Sequence, residues 1–170
     1  MNLVLERWNR IPLEEAASEI VSCCGSKTWA LGMAARRPFA DERSVLLASD
    51  EMCRCLTEAD WQQAFHSHPR IGELKAPLTA PPQSAAWSVE EQANVGTSED
   101  RVKTALAEAN REYEGRFKRI FIVSAAGKSA EEILSAVRRR LNNDEATELR
   151  EAAEQQRQIT QNRLRKWMQA

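Results

Sequence analysis

The spacing of hydrophobic positions along the chain is that of α-helices over most of its length. Apolar side chains that return every three or four residues fall on one helical face, whereas a half-buried strand would alternate them with polar ones. The spacing therefore predicts a mainly helical protein. The predicted helices cover residues 13–24, 27–35, 41–57 (as one helix or two), 58–66, 88–95, 98–117, 129–141 and 144–168.

Local sequence features predict where these helices begin and end. Pro12 has a backbone φ preset for a first helical turn, and Gly25 can adopt the left-handed conformation that ends a helix. Ser88 and Ser129 are each followed three residues later by glutamate, which is the sequence of a capping box at a helix N-terminus. Residues 69–88 contain several prolines and a glycine, so this stretch is predicted to be a loop.

One short run departs from the helical spacing. Residues 120–123 are continuously apolar, and so short a run does not separate a strand from a buried helix by its period. No second run of this kind could pair with it as a strand, so its amides would need side chains, water or a ligand as acceptors. We predict an all-α fold, namely a single-domain helical bundle over residues 1–170 with one short extended buried segment near 120–123.

Composition and charge narrow the classes of function. A chain of 170 residues with 42% hydrophobic and 29% charged residues suits one globular domain with a sizeable core. A net charge of −1 does not create the positive field that nucleic acid or an anionic membrane would require. The cysteines fall as Cys23-Cys24 and Cys53-x-Cys55, spacings that do not favour bridging, so we expect reduced thiols and a cytoplasmic protein.

Both histidines, His66 and His68, lie in the sequence FHSHPRIGE. A residue before proline is disfavoured from the α region, so His68 is expected to end the preceding helix and face the loop. Histidine is well suited to proton transfer near neutral pH, although an imidazole that bonds a free carbonyl at the helix end is the competing interpretation. A metal site that adds Cys53, Cys55 or Glu73 to the histidines would lack the regular spacing of structural zinc motifs.

Ser88, Glu91 and Gln92 fall on one face of the helix predicted to start at Ser88. They either cap that helix or form a polar cluster at its N-terminus, where free amides and the helix dipole can hold an anionic ligand. One carboxylate cannot easily cap and catalyse at once, and the residues alone favour the cap.

Arg163 lies on the less polar face of the last predicted helix. At ~100° per residue it falls between Ile159 and Trp167, whereas Arg165 points away. An inward arginine needs an anionic partner, which is either a buried carboxylate or a substrate. The alternative is an arginine whose aliphatic stem lies along a dimer interface.

Taken together, a series of short motifs resembles the OHCU decarboxylase family, which acts on 2-oxo-4-hydroxy-4-carboxy-5-ureidoimidazoline. Each fragment alone is weak, but their order and spacing over nearly the whole chain are specific. The fragments are CGS with WA within residues 24–30, RPF at 37–39, HPRIGE at 68–73, Ser88-x-x-Glu91-Gln92, YE with Phe117 at 113–117, FIV leading to GKS within 121–129, and RL at 163–164.

This resemblance implies an all-α enzyme of uric acid degradation that forms (S)-allantoin and CO₂ without a metal or an organic cofactor. The family's catalytic histidine precedes proline and its catalytic glutamate precedes glutamine, which implies His68 and Glu91. We also expect a small-molecule substrate, a homodimer, and neither a nucleic-acid nor a membrane partner. The implied substrate-binding residues are Pro69, Ser88, Gln92, Phe121, Ile122, Val123 and Arg163.

One position departs from the family pattern. Glycine usually follows the position of Phe117, and this chain has Lys118 there. A backbone that needs a positive φ would be costly for lysine, so the loop is expected to differ locally.

Two other functions are compatible with the residues. The first is a metal-dependent hydrolase built on His66 and His68, which would carry a bound metal. The second is a non-enzymatic helical module that dimerises through its last helix. That module would place Arg163 in a protein interface and would have no small-molecule pocket.

Overall fold

The computed structural model of the chain describes residues 2–72 and 82–170. Within these ranges the chain folds into α-helices joined by turns and contains no β-strand, which confirms the all-α prediction. No helix in the described ranges is long and apolar enough to cross a membrane. The helices are α1 (Leu3–Trp8), α2 (Leu13–Cys24), α3 (Lys27–Ala35), α4 (Glu42–Arg54), α5 (Glu58–His66), α6 (Pro82–Glu91), α7 (Ala93–Gly96), α8 (Asp100–Phe117), α9 (Ala130–Arg140) and α10 (Glu145–Met168).

The helix boundaries agree with the sequence where a local residue enforces them. Gly25 ends α2 with φ at 90°, a left-handed conformation that glycine adopts without steric cost. The predicted capping box at Ser129 is present, because its side chain accepts from the amide of Glu132 while the Glu132 carboxylate accepts from the amide of Ser129. Helix α1 is not predicted by the spacing, yet it buries Leu5 and Trp8.

The chain divides into two compact units, and unit 1 comprises Met1–Ala64 and Arg157–Ala170. Its core is rich in tryptophan. The Trp8 ring is fully buried, donates from Nε1 to the Ala16 carbonyl at 2.9 Å, and meets the Trp167 ring edge-on at 5.3 Å between centroids. These contacts join the first helices of unit 1 to the last turns of α10.

Unit 2 is the continuous stretch Phe65–Gln156, in which α8 packs against α9. The buried residues of α8 recur at helical spacing and form one apolar face, as the sequence predicts. They join the buried face of α9 in one core. The core residues from the two helices are Val102, Leu106, Ala109, Tyr113, Phe117, Ala130, Ile133, Leu134 and Val137.

The segment between α8 and α9, predicted to be extended and buried, is buried and lies outside the helices. Phe121, Ile122 and Val123 belong to neither helix nor strand, and each is at most 6% exposed. Lys118, at the C-cap of α8, has φ at 55° and ψ at 24°. Lys118 thus adopts the left-handed conformation typical of glycine.

Candidate active site

His68 is placed by the end of α5 and by the proline that follows it. Helix α5 ends at His66, and the amide of His68 donates to the Phe65 carbonyl at 3.1 Å. The His68 side chain is buried, with 7% of the residue exposed, whereas His66 is exposed. Helix α5 thus ends two residues before His68, and Pro69 beside His68 is also buried. The two histidines therefore lie in different environments.

The loop after His68 is fixed by side chains of α8. Arg70 makes a two-pronged ion pair with Glu114, with Nε–Oε1 at 2.6 Å and Nη2–Oε2 at 2.9 Å. One turn earlier on α8, Asn110 donates from Nδ2 to the Ile71 carbonyl at 3.0 Å. Asn110 and Glu114 were not predicted as part of the site, although their spacing of four residues places them on one helical face.

Ser88 and Glu91 lie near the end of a helix and not at its beginning. Helix α6 starts at Pro82 and ends at Glu91, and the Ser88 hydroxyl donates to the Ser84 carbonyl one turn earlier at 2.9 Å. The predicted helix start, capping box and N-terminal anion site at Ser88 are therefore wrong. A Ser-x-x-Glu sequence also occurs inside helices, where serine bonds back to a carbonyl of the preceding turn.

Gln92 follows α6 directly and holds the other end of the His68 loop. Its Oε1 accepts from the amide of Gly72 at 2.9 Å, and the residue is 8% exposed. Gly72 has φ at 88°, so this turn requires the conformational freedom of glycine. A cleft of about 520 Å³ within unit 2 is bordered by Gly72, Gln92 and Asn110.

The extended segment is anchored by side chains on both sides of Val123. The Ile122 carbonyl accepts from Nη1 of Arg140 at 2.7 Å, and the amide of Ser124 donates to Oε1 of Gln155 at 3.0 Å. Within residues 2–72 and 82–170, the amides of Phe121, Ile122 and Val123 donate no hydrogen bond. These buried donors can therefore serve a ligand.

A buried polar network behind this segment was missed by the sequence analysis. Arg140 and Glu148 form an ion pair in which both side chains are at most 1% exposed. The Tyr113 hydroxyl donates to the same carboxylate, and burial together with that bond raises the pKa of Tyr113. Arg140 ends a run of three arginines that suggests a solvated surface. Glu148, however, lies one turn before Ala152 on the less polar face of α10.

Arg163 is fully buried in unit 1, as its helical position predicts. Its Nη1 donates to the Ser22 carbonyl at 3.2 Å. Burial raises the pKa of the neighbouring Cys23 thiol, and the positive charge of Arg163 partly opposes that rise. Arg165 has a side chain 46% exposed, 3.8 Å from the Glu42 carboxylate, which confirms that it points away.

The predicted site residues are divided between the two units. Unit 2 contains His68, Glu91 and Gln92 together with the extended segment, and unit 1 contains Arg163. Across residues 2–72 and 82–170, no group of three His, Cys, Asp or Glu side chains is arranged as a metal site. Glu73, considered above as a metal ligand, lies outside the described residues.

Two longer proteins of uric acid degradation resemble this chain in sequence. The chain is 33% identical over 155 residues to the uric acid degradation bifunctional protein TTL of Arabidopsis thaliana, covering 91% of this chain and 48% of that protein. It is 25% identical over 158 residues to the uric acid degradation bifunctional protein of Bacillus sp. (strain TB-90), covering 89% of this chain and 30% of that protein. The chain therefore spans about half or less of the length of these relatives.

Solved structures and a family match give the same grouping. The structure superposes with a TM-score of 0.76 on an OHCU decarboxylase crystallised in the presence of (S)-allantoin, at 28% identity, covering 89% of this chain and 98% of that one. An (S)-allantoin synthase shares the fold, with a TM-score of 0.70 at 15% identity, covering 96% of this chain and 53% of that one. The sequence model of the OHCU decarboxylase family matches residues 9–165 of this chain. The chain belongs to the OHCU decarboxylase family.

Proposed function

We propose that the chain decarboxylates 2-oxo-4-hydroxy-4-carboxy-5-ureidoimidazoline to (S)-allantoin and CO₂. The observation that carries this proposal is the structural likeness to an OHCU decarboxylase crystallised in the presence of (S)-allantoin. The likeness covers 89% of this chain and 98% of that enzyme. The two bifunctional relatives act in uric acid degradation, which supports the same substrate class.

The chemistry of this substrate requires few protein groups. The bond to the carboxylate breaks, and its electron pair moves toward the adjacent C=N bond of the ring. The former imine nitrogen takes up one proton, and the ring hydroxyl gives up its proton and becomes a carbonyl. The neighbouring ureido-bearing carbon then receives a proton on the face that gives the S product. Because the substrate itself accepts the electrons, the protein has to hold the ring, exclude water from the carboxylate and deliver a proton.

His68 is the proposed acid and base. An imidazole can take the proton of the ring hydroxyl and return one during the reaction. Its burial, and the fixed loop from His68 to Gly72, support a defined position for that transfer.

Glu91 is the proposed orienting or proton-handling partner of His68. Its position at the C-terminal end of α6 removes the competing role in a helix N-cap. Glu91→Gln should lower turnover by ~10²-fold or more and leave thermal stability nearly unchanged. A lower melting temperature with normal turnover would remove Glu91 from the site.

The remaining proposed residues hold the substrate. The planar guanidinium of Arg163 suits the carbonyl acceptors of the ring or its ureido tail. Pro69, Ser88 and Gln92 are further proposed substrate contacts. The amides of residues 121–123, which donate no hydrogen bond within the part of the chain that the structure describes, are proposed as further donors to the oxygen-rich substrate.

The location and assembly of the protein are proposed with the same function. All four cysteines are free thiols in the structure, which supports reduced cysteines in a cytoplasmic protein. We propose a homodimer in solution, and sedimentation equilibrium would detect a monomeric chain instead.

Product formation tests the proposed activity directly. The substrate can be generated in situ from urate, and the appearance of (S)-allantoin followed by circular dichroism. The protein should accelerate formation of the S enantiomer over the uncatalysed decay, which yields both enantiomers. A rate unchanged by the protein would overturn the proposal.

Treating the same preparation with a chelator separates the proposed decarboxylase from a metal-dependent hydrolase. Catalysis should persist after treatment with a chelator. Loss of activity with the chelator and its recovery with added metal would favour a site built on His66 and His68.

A further inference from the structure

The most deeply buried charges of unit 2 have no part in the reaction proposed above. Arg140 and Glu148 are 1% and 0% exposed in their side chains, with Nη2–Oε1 at 2.5 Å and Nε–Oε1 at 2.9 Å. Removing two charges from water is costly, and well-packed apolar residues often replace such a pair without loss of stability. Stability alone therefore does not account for this ion pair.

The surrounding side chains fix the orientation of the Arg140 guanidinium. The Tyr113 hydroxyl and Nδ2 of Asn143 both donate to the Glu148 carboxylate, the latter at 2.8 Å. The guanidinium carbon also lies 4.4 Å from the centroid of the Phe121 ring, within range of a cation–π contact. The carboxylate and the ring together leave the guanidinium little freedom to rotate.

The third guanidinium nitrogen of Arg140 binds the main chain and not the carboxylate. Nη1 of Arg140 donates to the Ile122 carbonyl at 2.7 Å. The peptide that joins Ile122 to Val123 is planar and trans, so its carbonyl and its N–H point in opposite directions. A bond that fixes the Ile122 carbonyl therefore also fixes the direction of the Val123 amide.

We propose that Arg140 is a positioning residue that aims the Val123 N–H at an acceptor oxygen of the bound substrate. This inference rests on the proposed function. It adds that the buried ion pair with Glu148 exists to orient one main-chain donor. The Ser124 amide, bonded to Gln155 at 3.0 Å, fixes the following peptide in the same way.

Arg140→Lys tests this role while keeping a positive charge beside Glu148. A lysine ammonium lacks the guanidinium fork and cannot hold the carboxylate and the carbonyl in the same geometry. We expect the Kd for (S)-allantoin and the KM to rise about tenfold, the effect of one well-formed hydrogen bond, with kcat within about twofold of wild type. Unchanged Kd and KM in the folded variant would overturn the inference and leave the proposed function intact.

A double replacement covers the case in which Arg140→Lys does not fold. Arg140→Met with Glu148→Leu removes both charges and should give the same rise in Kd and KM. The control is Arg36→Met with Glu51→Leu, an ion pair between the end of α3 and α4 with side chains 38% and 60% exposed. The control should bind allantoin as wild type does, and an equal loss of affinity in both double variants would overturn the inference.

A third measurement uses the wild-type protein alone. Adding (S)-allantoin should shift the amide proton resonance of Val123 downfield, as a new hydrogen bond does. Wild-type protein that turns over substrate but shows no such shift would overturn the positioning role only. Protein with neither allantoin binding nor turnover would overturn both the role and the proposed function.

Discussion

At the scale of single residues, His66 and His68 lie close in sequence but differ in burial, and only His68 precedes a proline. His66 is exposed in the last turn of α5, whereas His68 is buried beyond the helix end. His68→Asn should therefore reduce formation of (S)-allantoin by at least ~10²-fold, because proton transfer is lost. Initial rates measure this loss, and far-ultraviolet circular dichroism should show an unchanged helix content.

His66→Asn is the matched control for this prediction. An exposed imidazole should be replaceable with little effect on rate. Equal losses from the two variants would contradict the acid and base role of His68 and would favour a joint role such as metal binding.

Lys118 is held in a conformation that suits glycine better. A left-handed backbone costs a residue with a Cβ atom about 1–2 kcal/mol, and the bond from its Nζ to the Gly115 carbonyl at 2.6 Å is exposed. Lys118→Gly should therefore raise the free energy of unfolding by about 0.5–1 kcal/mol and the Tm by about 1–4 °C. Thermal unfolding measures the shift.

Lys118→Ala separates the effect of the strained backbone on stability from the effect of the lysine side chain. Alanine keeps the steric cost and loses the Nζ bond, so its Tm should not exceed that of wild type. If alanine stabilised the protein as much as glycine, the backbone explanation would be wrong.

At the scale of helices, α10 presents two arginines to opposite surroundings. Arg163 is fully buried against the Ser22 carbonyl, whereas Arg165 is largely exposed. Arg163→Lys should weaken (S)-allantoin binding about tenfold or more, because an ammonium cannot match a planar set of acceptors. Arg165→Lys should leave binding unchanged, and isothermal titration calorimetry compares the two.

The competing role for Arg163 is a contact between copies of the chain. In that case Arg163→Lys would shift the sedimentation coefficient and spare the affinity for allantoin. An altered oligomer with unchanged affinity would remove Arg163 from the substrate site.

The helices also show what could be predicted from sequence. The ends of α2 and α9 were predictable because Gly25 and Ser129 act on the backbone within a few residues. The start of α6 was not, because the Ser88 motif is also compatible with a helix interior and Pro82 was assigned to the loop. The inward position of Arg163 followed from helical period alone. The ion pair between Arg140 and Glu148 could not be predicted from helical period, because it depends on packing between α9 and α10.

At the scale of the whole molecule, several carboxylates stabilise the folded state only when ionised. The pKa of Asp144 is lowered by the Thr147 amide at the start of α10, and that of Glu151 by its hydrogen bond with Arg139. A carboxylate with a lowered folded pKa contributes stability above its unfolded pKa, and loses it as the pH falls through the folded value. The Tm should therefore be level near neutral pH and fall below about pH 4.

Thermal unfolding between pH 7 and pH 3 measures this loss. Asp144→Asn should lower the Tm at pH 7, and the difference from wild type should shrink as the pH falls through the lowered folded pKa of the wild-type carboxylate. A Tm difference that stays constant across this range would contradict the assignment of the loss to Asp144.

The division of the chain into one continuous unit and one discontinuous unit has a consequence for synthesis on the ribosome. Once Gln156 has been translated, every residue of unit 2 exists, but the stretch Arg157–Ala170 of unit 1 does not. Helices α1 to α4 must therefore wait, with the surface around Trp8 still open, until the last turns of α10 emerge. Chains that end at Gln156, tethered to the ribosome by a linker long enough to clear the exit tunnel, should resist protease in the core of α8 and α9 and remain sensitive in their first helices.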